Sequence, residues 1–306
     1  MITAKGLTKL YDGKHGIRNI DLYVRKGSTF GFLGKNGSGK TTTIKILIGL
    51  LKPDSGIASV GGYDVSSDPM PVRRMIGYLP ETVGLYEYLT AFDTLDYTAR
   101  LHRIKAGDRK ERIEHILKDL DLYDSRNIKI GNFSKGMRQK LALGRALIND
   151  PDVLFLDEPT SGLDPQASRN IEALIKDLKK EGKTVFITSH ILSEVEKMCD
   201  SVSILKEGTI RASGSMADIK AKYSSPSILV RVSGAPLNAE KAAGILVSIG
   251  AEQVEVLDDC VSLKTGRPEE LMPAVNRALL EANIPVVELK RMEPALEDVY
   301  FKVMEE

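Results

Sequence analysis

Hydrophobic and polar positions along the chain fall into three regimes. Residues 29–33 (TFGFL), 153–156 (VLFL) and 184–188 (TVFIT) are short, almost wholly apolar runs. Runs of this kind suit strands buried on both faces of a parallel sheet. Residues 42–51 instead repeat at helical spacing and predict an amphipathic helix that stops at Pro53. From about residue 85 to 149 the helical period takes over. Leu89, Phe92, Leu95 and residues 98–101 stand three or four apart, Ile113, Ile116, Leu117 and Leu120 repeat the pattern, and a last helix is expected over 138–149. No strand pattern interrupts this stretch, which predicts a helical subdomain. Past Lys222 the character changes again. A linker-like segment at 223–227 is followed by an alternating strand (228–232), a helix (238–248), short strands near Val254 and Val261, a helix (268–282) and a strand (286–289). That order predicts a small ferredoxin-like unit at 223–306 behind a larger domain at 1–222.

The chemistry gathers where the apolar runs end. After the first run comes GKNGSGKT, comprising Gly34, Lys35, Asn36, Gly37, Ser38, Gly39, Lys40 and Thr41, with Thr42 next. This matches the phosphate-binding loop pattern G-x-x-x-x-G-K-[ST]. Glycines remove the Cβ atoms that would keep the backbone from a phosphate, so successive N–H groups can turn inward around it. Lys40 is expected on the β- and γ-phosphates, Thr41 on Mg²⁺, and the following helix offers its positive N-terminal end. The run at 153–156 ends in Asp157 and Glu158. Ligands of open α/β sheets gather at the carboxyl ends of strands, so Asp157 is expected on the metal and Glu158 facing the γ-phosphate as a base for the attacking water.

With those motifs in order, the chain resembles the nucleotide-binding subunits of ATP-binding cassette (ABC) transporters over about residues 1 to 220. Phe133-Ser134-Lys135-Gly136-Met137 resembles the family's LSGGQ signature at its Ser and second Gly; Phe133, Lys135 and Met137 depart from it. Ser161-Gly162-Leu163-Asp164 looks like the loop linking the two sites of the family's dimer, and His190 resembles its switch histidine. The resemblance implies an α/β fold: an ABC-type ATPase core with an antiparallel β subdomain and an α-helical subdomain, to which the C-terminal unit is added. It implies ATP hydrolysis with Mg²⁺, and Ser134 and Gly136 meeting the γ-phosphate of the opposite protomer. It also implies Tyr11 against adenine and Glu81, where most members carry glutamine, as a metal contact. The partners implied are a separate transmembrane permease and a second cassette. Glu81, the signature and the tail EPALEDVY at 293–300 are similar to ATPase subunits of ABC-2 type exporters. The alternative is a soluble cassette ATPase acting on ribosomes or chromosomes. Against it stand the one phosphate loop in the chain and an insert of about 90 residues without sustained heptads.

Composition narrows the rest. The 306 residues are 42% hydrophobic and 28% charged, enough for one large and one small domain. A net charge of +1 gives no electrostatic footprint for nucleic acid, and none is expected as partner. No apolar run reaches the roughly 18–20 residues of a membrane span, and the start carries no apolar core of a secretory signal. Cys199 and Cys260 fit a reducing cytoplasm rather than a disulfide scaffold, and His15, His102 and His115 are expected as solvated surface residues. The expected location is the inner face of the cell membrane, held there by a permease.

Overall fold

A computed structural model of the chain describes residues 1–223, 225–234, 236–258 and 260–305. Two compact units are present, Met1–Met216 and Ala217–Glu306. The division falls ahead of the linker-like segment, so that nearly all of helix α8 (Met216–Tyr223) belongs with the second unit.

The first unit is organised by a six-stranded sheet of β3 (Thr29–Leu33), β6 (Ile76–Leu79), β7 (Val153–Asp157), β8 (Thr184–Ser189), β9 (Ser201–Lys206) and β10 (Thr209–Ser215), in the order β10-β9-β3-β8-β7-β6. All pairings except β9 with β10 are parallel. The three apolar runs supply its centre, and every residue of β3, β7 and β8 is buried. Phe186 on β8 lies 5.4 Å from Phe30, 5.5 Å from Phe32 and 5.4 Å from Phe155, ring centre to ring centre. Offset and tilted rings at these separations add to the area they bury. Register then positions the chemistry: Leu33 pairs with Ser189 and Asp157 with Thr188. The carboxyl ends of three central strands are thus level, and the loops leaving them meet at one edge.

A second sheet, β2-β1-β4-β5, is antiparallel and comprises β1 (Ile2–Tyr11), β2 (His15–Val24), β4 (Ser55–Val60) and β5 (Tyr63–Asp64). Asp12 and Gly13, with φ of 53° and 68°, make the left-handed turn that suits the twist of the β1–β2 hairpin. The turn sets Tyr11 opposite His15. Ile2, Leu7, Ile17 and Ile20 of this sheet share one core with Phe30, Phe32, Phe155 and Phe186 of the other.

Helices of this unit are α1 (Lys40–Leu47), α2 (Pro69–Met75), α3 (Ala91–Leu101), α4 (Ala106–Asp119), α5 (Lys135–Leu147), α6 (Pro165–Lys180) and α7 (Leu192–Met198). Helix α1 runs shorter than its apolar pattern because Gly49, at φ 70°, ends it ahead of Pro53; Gly49 and Leu50 amides return to the Ile46 and Lys45 carbonyls. The stretch 85–149 is helical in three pieces joined by turns, with a bridge between Thr90 and Lys129. Thr90 and Asp93 form a reciprocal cap on α3. Helix α5 crosses α4 closely: a Cβ on Gly144 would stand 2.9 Å from Leu120 Cδ1.

In the second unit, β11 (Ser227–Val232), α9 (Leu237–Ser248), β12 (Glu252–Leu257), β13 (Cys260–Lys264), α10 (Pro268–Glu281) and β14 (Val286–Met292) are followed by α11 (Leu296–Glu305). Its sheet is antiparallel throughout, in the order β12-β13-β11-β14. This is the ferredoxin-like arrangement that the sequence pattern predicts. Alternating Ile228, Val230 and Val232 share its core with Ala239, Leu246, Val275 and Leu279.

Candidate nucleotide site

The level strand ends open onto a cleft of about 410 Å³ lined by residues from both sheets of the first unit. Of the residues singled out from sequence, Tyr11, Lys35, Asn36, Gly37, Gly39, Lys40, Thr41, Thr42, Glu81, Asp157 and Glu158 line it. Gly34 and Ser38 lie just behind: a Cβ on Gly34 would stand 2.4 Å from Ser38 Oγ, so only glycine lets the loop close there. Gly39, at φ 107°, ends the loop where α1 begins.

Lys40 is buried and donates to the Gly34 carbonyl at 2.7 Å. Its Nζ also lies 3.2 Å from the buried Glu158 Oε1, an ion pair without hydrogen-bond alignment. The other carboxylate oxygen, Oε2, lies 2.7 Å from His190 Nδ1. Thr41 Oγ1 donates to Asp157 Oδ2 at 2.9 Å, and Thr188 Oγ1 to Oδ1 of the same carboxylate at 2.5 Å. Glu81 stands at the open side. Burial first, then the charges of Asp157 and Glu81, push the Tyr78 phenol up to about 12.

The fit to a nucleotide and Mg²⁺ can be judged from these groups. Ser38 Oγ is a buried polar atom without a hydrogen-bond partner, and Glu158 Oε1 has only the charge of Lys40 beside it; a ligand satisfies groups of this kind. Among the described residues no three His, Cys, Asp or Glu side chains surround a point. A hard cation that takes a hydroxyl, one or two carboxylates and phosphate oxygens is compatible with Thr41, Asp157 and Glu81; an all-protein metal cage is not.

Ser134 and Gly136 are not among the residues lining this cleft. Ser134 is exposed and caps α5, its Oγ accepting from the Met137 amide at 3.2 Å. Lys135 lies over the turn at Gly162 of its own chain: a Cβ added there would be 1.9 Å from Lys135 Nζ. Asp164 caps α6, accepting from the Gln166 and Ala167 amides at 2.9 and 2.8 Å.

These features have counterparts in known proteins. Residues 17–161 match the ABC transporter family. The linearmycin resistance ATP-binding protein LnrL of Bacillus subtilis is 31% identical over 99% of this chain and 98% of its own. The chain belongs to the ABC transporter ATP-binding proteins. The daunorubicin resistance ATP-binding protein DrrA3 of Streptomyces coeruleorubidus is 34% identical over 98% of this chain and 94% of its own. Among solved structures, the dimeric post-hydrolysis state of the ATP-binding cassette MJ0796, bound to ADP and Pi, aligns with a TM-score of 0.65 at 27% identity, covering 71% of this chain and 99% of that one. The chain is thus an ATP-hydrolysing cassette subunit of an ABC transporter.

Sequence reasoning missed two contacts near the reaction centre. His15 is exposed, as expected, and also lines the cleft beside Gly16; its place opposite Tyr11 across the hairpin was the available signal. Gln139, buried on α5, donates to the Pro159 carbonyl at 3.0 Å. Glu194 on α7 accepts from the Thr160 hydroxyl. Neither of these two bonds has a local sequence pattern.

Proposed function

We propose that this cassette hydrolyses ATP at a site completed by a second cassette, and that the cycle drives a separate membrane-spanning permease in export. The observation that carries the reading is the convergence of the phosphate loop, the Thr41–Asp157 bond and Glu158 on one cleft.

In this reading the loop amides from Gly37 to Thr41 and the Lys40 ammonium bind the β- and γ-phosphates, and Tyr11 stacks on the base with His15 at its edge. Thr41, Asp157 and Glu81 would hold Mg²⁺, which supplies charge neutralisation across the phosphate oxygens. Glu158 takes a proton from the attacking water, with Lys40 and His190 on either side of its carboxylate to hold it in place. Ser134 and the α5 N-terminus, turned to solvent, bind the γ-phosphate of the partner copy. Closure of two such copies buries two nucleotides, and phosphate release lets them part.

For the permease, a groove of about 260 Å³ is lined by Leu50, Arg73, Tyr78, Thr98, His102 and Arg145 among others. Tyr78 belongs to it, so a docked segment would touch the strand β6 that leads directly to Glu81. Exposed Tyr86 and Tyr88, 5.7 Å apart, offer an aromatic surface at the start of the helical stretch. Among the described residues no helix is long and apolar enough to cross a membrane, and in this reading the pore belongs to the permease. The resistance proteins among its relatives favour export as the direction. Attachment through the permease would place the cassette on the inner face of the membrane.

The deciding experiment is capture of tagged Glu158→Gln protein with ATP and Mg²⁺ from detergent-solubilised cells. A stoichiometric polytopic membrane protein is the expected companion. Ribosomal or chromosomal proteins in its place would overturn the transport reading and leave the nucleotide chemistry.

A further inference from the structure

Glu158 holds an unusual backbone. Its φ is 52°, a left-handed conformation that is costly for a non-glycine residue and persists only where neighbours impose it. Several bonds impose it here. Its amide donates to the Thr188 carbonyl and hydroxyl at 3.2 and 3.1 Å, Gln139 holds the Pro159 carbonyl at 3.0 Å, and the Ser161 amide returns to the Glu158 carbonyl at 3.2 Å. Thr160 in this turn is 3% exposed, and its hydroxyl donates to Glu194 Oε2.

Glu194 lies four residues beyond His190, in the first turn of α7. Two ties therefore join the same two segments: Glu158 to His190, and Thr160 to Glu194. We propose that Glu194 is a positioning residue for hydrolysis, fixing the turn that carries Glu158 against the segment that carries His190, so that the base and its imidazole neighbour keep one geometry. Burial pushes the Glu194 carboxyl up, and nearby Glu172 and Glu158 push the same way, while the Thr160 bond and Lys197 oppose them. A carboxylate in such a place costs more than a neutral side chain unless its hydrogen bond matters to the site.

The inference rests on Glu158 being the base, so the test includes Glu158→Gln. Steady-state ATP hydrolysis by the full chain is compared for Thr160→Val, Glu194→Ala, their double variant, Glu194→Gln and Thr160→Ser. Loss of the tie should lower kcat by about 10- to 100-fold, on the scale of a 1 Å displacement of a reacting group, with KM within about twofold. The double variant should be no worse than the poorer single, because both break one bond. Glu194→Gln and Thr160→Ser, which keep an acceptor and a hydroxyl, should restore most of the rate. If Glu194→Ala does not fold, Thr160→Val decides alone, since it exchanges a hydroxyl for a methyl at nearly constant volume. An unchanged kcat in the tie variants beside an inactive Glu158→Gln overturns the inference. So do losses that multiply in the double variant, or that appear in KM alone. Full turnover by Glu158→Gln overturns the reading of the base, and the inference with it.

Discussion

Glu158 Oε2 sits 2.7 Å from His190 Nδ1, while Oε1 of the same carboxylate faces Lys40 Nζ at 3.2 Å. Each carboxylate oxygen thus has its own neighbour, which holds the side chain at the edge of the cleft it lines.

Glu158→Gln keeps the shape and one acceptor of this side chain but cannot take a proton at neutral pH. Turnover is expected to fall at least about 100-fold, the lower end of general-base contributions, while ATP affinity is retained. Rapid-quench measurement of ATP cleavage beside equilibrium nucleotide titration checks both halves, and an unchanged turnover number would refute the base assignment.

Ser134 caps α5 at an exposed surface and is absent from the lining of its own chain's cleft. Ser134→Arg, made in the Glu158→Gln background, should leave nucleotide affinity of the monomer unchanged and abolish ATP-dependent dimerisation. Light scattering on a sizing column reads the second effect; lost monomer binding would count against a role in the partner's site.

Phe186 touches three other phenylalanines at the centre of the parallel sheet. Phe186→Ala should cost about 3–5 kcal/mol through lost burial and the cavity left behind. Urea unfolding would show this as a lower midpoint at unchanged slope.

Asp64 accepts from the Ser67 and Ser66 amides at 2.8 and 2.9 Å and from the Ser67 hydroxyl at 3.0 Å. These bonds, that from the Ser67 amide foremost, hold its carboxyl below the usual range. A depressed folded value means the stabilisation is complete above the unfolded value of about 3.9 and is lost as pH falls through the folded one. The Tm gap between wild type and Asp64→Asn should therefore be open at pH 6 and narrow as pH falls below about 3.9.

Much of this arrangement was legible in the chain because its determinants are local. Three apolar runs specified three buried strands; the loop after the first and the two acids closing the second line the cleft, and His190, after the third, meets it through Glu158. The ferredoxin-like unit was readable from the alternation at Ile228, Val230 and Val232 and the order of elements behind it. Helix ends were less so. The start of α5 at Lys135 depends on the Ser134 cap, a signal that the polar character of the segment outweighs when the chain is read alone. Contacts made across long separations escaped altogether: Gln139 to Pro159, Thr160 to Glu194, and Lys135 over Gly162. None of these alters a periodicity, so only the folded backbone brings them to view.

The cleft takes Tyr11, His15 and Gly16 from the antiparallel sheet, and Asp157 from the parallel one with Lys40 and Glu158 just beyond its strand ends. Whatever fills it fastens two sheets as well as feeding a reaction. A ligand at about 100 times its Kd adds roughly 2.7 kcal/mol to the stability of a protein that binds it only when folded. Nucleotide is thereby a preservative for this subunit. Copies emptied of it are the ones a protease finds open first, which ties the lifetime of the polypeptide in the cell to the energy charge that it spends.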